Sequence, residues 1–83
     1  MELSIDQALK NGVEAHTAGN LTDADRFYTA ILKVQPTHPD ANHNMGVLLL
    51  NIGKVENSLE YFQMALKENA NSEDPNTNTP KEF

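Results

Sequence analysis

Pro39-Asp40-Ala41-Asn42-His43-Asn44-Met45-Gly46-Val47 repeats the frame of Ile5-Asp6-Gln7-Ala8-Leu9-Lys10-Asn11-Gly12-Val13 at a distance of 34 residues. Asp6, Gly12 and Val13 return as Asp40, Gly46 and Val47, and further on Gly19, Leu32 and Lys33 return as Gly53, Leu66 and Lys67. The aromatic pair Phe27–Tyr28 is answered, in reversed order of type, by Tyr61–Phe62. A fixed period of this length marks a solenoid, in which each unit is a helix pair stacked on its neighbour. Function in such a protein generally lies in the surface it presents.

The helices are readable from their ends. Ser4-Ile5-Asp6-Gln7 has the form of a capping box, in which Ser4 accepts from the amide three residues on and Gln7 reaches back. It predicts a helix to about Ala18, broken by Gly19-Asn20. Thr22-Asp23-Ala24-Asp25 reads as a second box, opening a helix to about Gln35. Pro36 and Pro39 bracket a turn, with Pro39 suited to a first helical position and Asp40 to the dipole there. His38 in that turn is expected to cap the helix or to be solvated. A third helix runs to about Ile52 and ends at Gly53, and a fourth spans roughly Glu56 to Asn69. From Asn71 to Pro80 no side chain is apolar, so the chain beyond residue 72 is expected to be a flexible polar tail over 73–83.

Composition narrows the function classes. The 83 residues carry a formal net charge of −6, and the basic residues Lys10, Arg26, Lys33, Lys54, Lys67 and Lys81 are scattered, which argues against nucleic-acid binding. No apolar run approaches the roughly 20 residues of a membrane span, and no signal-peptide pattern opens the chain, so a cytoplasmic protein without a membrane partner is expected. There is no cysteine and no glycine-rich phosphate loop. No acid or base falls in an evident catalytic pattern, so no enzyme and no cofactor is expected.

The paired pattern resembles the tetratricopeptide repeat, with repeats over 5–38 and 39–72. The family's small residues fall at Gly12 and Gly46 and at Ala24 and Ser58, and its large aromatic at Tyr28 and Phe62. Small residues on facing helices let backbones approach, and the aromatic fills the gap beside them. The resemblance implies an all-α fold of tandem helix-turn-helix units, four antiparallel helices in a short right-handed solenoid. Where the family often has alanine and proline, the first repeat has Ile31 and Pro36, the second Ala65 and Ala70. Ala8, Asn11 and Ala15 leave the first repeat lightly packed, as suits an end of an array. The segment Ala30 to Gly46 is also similar to repeat modules that lead bacterial glycosyl-, methyl- or sulfotransferases. That makes a docking module of a larger enzyme one alternative.

The resemblance further implies a concave groove lined by Asp6, Leu9, Val13, His16 and Thr17, then by Asp40, His43, Val47, Leu50 and Asn51. Leu9, Val13, His16, Asn44, Val47, Leu50 and Asn51 are the expected surface for a peptide or partner helix, Asn44 gripping peptide backbone. Core packing of Leu9, Val13, Val47 and Leu50 is the competing reading. Leu9 and Val13 stand where the carboxylate-gripping members of the family carry Lys and Asn, so that specificity is not expected. His16, His43, Asp6 and Asp40 come from different helices without ligand spacing, and no metal site is expected. The third helix is apolar almost all round and needs covering on more than one face. Val55, Leu59, Phe62 and Leu66 follow helical spacing on the last helix and form an expected self-association face. A protein–protein interaction module is therefore expected, with a homodimer as the structural alternative.

Overall fold

The computed structural model describes residues 3–72; the tail expected over 73–83 lies outside the described residues. Four helices follow one another: α1 (Ile5–Thr17), α2 (Leu21–Val34), α3 (Pro39–Asn51) and α4 (Val55–Ser72), with no strand among the described residues. α1 and α2 form a first hairpin, α3 and α4 a second, and α3 lies against both helices of the first.

The helix ends show how closely the two hairpins copy each other. Gly19 and Gly53 both adopt φ +84°, a conformation that costs glycine little and other residues strain. After α1, the Asn20 amide donates to Ala15 O at 2.8 Å and the Gly19 amide to His16 O at 3.0 Å. After α3, Lys54 donates to Leu49 O at 2.8 Å and Gly53 to Leu50 O at 3.0 Å. These are the same two bonds of a Schellman closure, made twice.

The starts differ from the sequence expectation in detail. Ser4 Oγ accepts from the Gln7 amide at 3.0 Å, but the Gln7 side chain does not reach back. It donates to Asn11 Oδ1 one turn on. α2 is capped by Asn20 rather than by Thr22. Asn20 Oδ1 accepts from the Asp23 amide and Asn20 Nδ2 donates to Asp23 Oδ2 at 2.8 Å, so one amide satisfies a free helix-end donor and a carboxylate together. His38 caps α3, its Nδ1 accepting from the Ala41 amide at 3.1 Å, with Pro39 following. α4 extends three residues beyond the expected Asn69.

Each hairpin is closed by a glycine against an aromatic ring. A Cβ on Gly12 would stand 2.6 Å from Tyr28 Cε1, and one on Gly46 would stand 2.8 Å from Phe62 Cε1. A Cβ in either place would force the facing ring to shift, and the helices approach accordingly. Between the hairpins, α3 inserts Ala41 against Ala8 and Ile31, and Met45 and Leu48 join a cluster with Ala24 and Tyr28. Leu9 and Leu32 pack on both clusters. This double coverage is what the nearly all-apolar α3 required. Asn42, buried in the same helix, donates through Nδ2 to Pro36 O and His38 O at 3.0 and 2.9 Å. A buried amide so paired holds the inter-hairpin turn by giving the Pro36 and His38 carbonyls a donor.

Candidate functional site

The residues expected to line the groove sit on α1 and α3. The tightest link between them is His16 Nε2 to Asn51 Oδ1, at 2.7 Å. An amide oxygen can only accept, so Nε2–H donates, and in the neutral imidazole Nδ1 is then the acceptor for the Tyr28 hydroxyl at 3.2 Å. The Tyr28 ring meets the imidazole edge to face, with centroids 6.0 Å apart. Tyr28 is fully buried, and its desolvation pushes the phenol pKa above the ordinary value of 10.0. One imidazole thus ties α1 to α2 and to α3. His16 and Asn51, expected as ligand contacts, are also partners of each other.

Along the same helices, Leu9 is half-buried against both core clusters, and Asn44 and Val47 are half-buried. Val13 and Leu50 are 41% and 45% exposed. The apolar positions therefore divide, Leu9 and Val47 partly into the packing and Val13 and Leu50 toward solvent.

His43 is not near this polar link but stands edge-on to Phe62, with centroids 5.6 Å apart. With Pro39, Asp40, Phe62, Ala65 and Leu66 it lines a cleft of about 340 Å³ at the end of the second hairpin. Of the stripe expected to self-associate, Phe62 is half-buried, while Val55, Leu59 and Leu66 are exposed. Among the described residues, no group of three His, Cys, Asp or Glu side chains is placed to hold a metal ion. No helix among them is long and apolar enough to cross a membrane. Arg26 and Asp23 pair at 3.7 Å on the exposed side of α2, a contact worth little in water.

A larger cleft, of about 800 Å³, opens between the start of α1 and α2, among Leu3, Ile5, Phe27, Ala30, Ile31 and Val34. Sequence reasoning missed it, although Phe27, Ala30, Ile31 and Val34 repeat at the spacing of one helix face.

Comparison with known proteins agrees with this architecture. A family model described as tetratricopeptide repeat matches residues 27–60, a stretch running from the middle of α2 through α3 into α4. Trafficking protein particle complex subunit 12 of Mus musculus is 37% identical over 49 residues, 59% of this chain and 6% of its own length. The subunit 12 of Homo sapiens is 37% identical over 49 residues, again 59% of this chain and 7% of its own. The chain thus spans a small part of these relatives, and neither is named as a transferase. No solved structure matches it. The tetratricopeptide repeat model thus matches residues 27–60, and the two hairpins in a 34-residue frame, each closed by a glycine against an aromatic, agree with that pattern.

Proposed function

We propose that this chain is a protein-interaction module that takes an apolar segment of a partner, a peptide or one face of a helix, along α1 and α3. The observation that carries the reading is the exposure of Val13 and Leu50 on helices joined by the His16–Asn51 hydrogen bond. Apolar side chains left in water gain by burial, and a neighbouring polar pair can orient what buries them. Leu9, Asn44 and Val47 extend that surface, with Asn44 able to donate and accept at once. Tetratricopeptide repeats generally serve protein interaction and are typically non-catalytic scaffolds. The matched relatives are named as subunits of a complex, which fits the same reading.

Selection of a displayed random-peptide library tests it, with a Val13→Asp/Leu50→Asp double variant as the counter-target. Both positions are exposed, so the variant keeps its fold, and circular dichroism checks that. The reading expects peptides that bind the wild type at least about tenfold more tightly, a difference of about 1.4 kcal/mol. Peptides that bind both proteins equally would sink it.

A further inference from the structure

The two hairpins do not end alike. In the first, the surface formed by Ile5, Leu9, Tyr28, Ile31 and Leu32 packs into the clusters that α3 completes with Ala41, Met45 and Leu48. Its counterpart one period on is Pro39, His43, Phe62, Ala65 and Leu66, and nothing among the described residues lies over it. Tyr28 is fully buried where Phe62 is only half-buried, and Leu66 is 70% exposed where Leu32 is half-buried.

We propose that this face takes α4 of a second copy, joining two chains tail to tail about a two-fold axis. The internal seam states the chemistry required: a helix with apolar side chains at i, i+4 and i+7, as Ala41, Met45 and Leu48 provide. α4 carries that spacing in Val55, Leu59 and Phe62, continued by Leu66, with larger residues than α3 has at its start. α1 does not carry it. The counterparts of Ala41, Met45 and Leu48 on α1 are Gln7, Asn11 and Glu14, of which Gln7 already donates to Asn11. Stacking the head of one copy on the tail of another in the manner of α3 would bury Glu14 with its charge and strip water from the Gln7–Asn11 pair, whose single mutual bond leaves further polar atoms unmet. The heterologous, open-ended arrangement is therefore disfavoured and the isologous, self-limiting one remains.

Light scattering behind size exclusion, from micromolar to near-millimolar protein, tests this on the whole chain. The expected result is a mass that rises with concentration and levels at twice the chain. Leu66→Glu and Leu59→Glu, both at exposed positions, raise the dissociation constant by about tenfold or more, while Val34→Glu at the opposite end leaves it unchanged. A monomer at every concentration overturns the proposal and gives the face to a different helix. Growth past two copies, or sensitivity to Val34→Glu, overturns the tail-to-tail orientation. A dimer untouched by Leu66→Glu and Leu59→Glu overturns the location. Mass and peptide affinity are separate readouts, so this proposal and the α1–α3 surface can fail independently.

Discussion

The first hairpin and the second are built on one frame, yet they bury their equivalent residues differently. Gly12 faces Tyr28 as Gly46 faces Phe62, and Gly19 and Gly53 share one backbone conformation and one pair of closing bonds. What separates them is the neighbour. α3 lies over the first hairpin, so Tyr28 and Ile31 vanish from solvent, and no described element lies over the second, so Leu66 stands open. In a stacked repeat, burial belongs to the seam between units as much as to the unit. Aligned residues therefore need not be energetically equivalent.

The sharpest way to break that comparison is at the seam. Leu48→Ala removes a buried side chain from the cluster with Tyr28 and should cost about 2–4 kcal/mol. Glu14→Ala, at the corresponding exposed place on α1, should stay within about 0.5 kcal/mol. Urea denaturation of the two variants checks both values, and similar losses would mean that the head of α1 is not the polar end described above.

The glycines give a middle-sized contrast. Alanine at either position gains roughly 1 kcal/mol of helix propensity but collides with a ring. Tyr28 is enclosed and hydrogen-bonded to His16, so Gly12→Ala should lose about 1–3 kcal/mol net. Phe62 is half-exposed and can swing outward, so Gly46→Ala should lose less than about 1 kcal/mol. Chemical denaturation that ranks them the other way would show that the ring at Phe62 is the more constrained.

The smallest effect comes from making the aromatics alike. Tyr28→Phe deletes the hydroxyl that donates to His16 and should cost about 1 kcal/mol near neutral pH. Because burial raises the folded-state pKa of Tyr28, its contribution is fully present below the unfolded value of about 10 and falls as the pH climbs above it. The stability gap between wild type and Tyr28→Phe should then narrow in alkali, as melts at a series of pH values would reveal. A constant gap would place the phenol in a wetter setting than the described one.

Caps and breakers sufficed to read four helices, the 34-residue return their pairing, and the resemblance to a known repeat implied the two glycine–aromatic contacts. Those features rest on local propensity and on residues whose size or φ admits few alternatives. The cap of α2 was misplaced by two residues because Asn20 and Thr22 are both good caps, and the choice between them lay in a side-chain bond to Asp23. The candidate surface was less legible. Spacing set Leu9, Val13, Val47 and Leu50 on the inner helices but did not tell packed from open. That division depends on how closely α1 approaches α3, and His16, bound to Tyr28 and Asn51 at once, helps to join them. The sequence by itself determined the helices, their period and the apolar stripes. Only the tertiary structure decided which stripes were covered, because coverage depends on how one hairpin seats on the other.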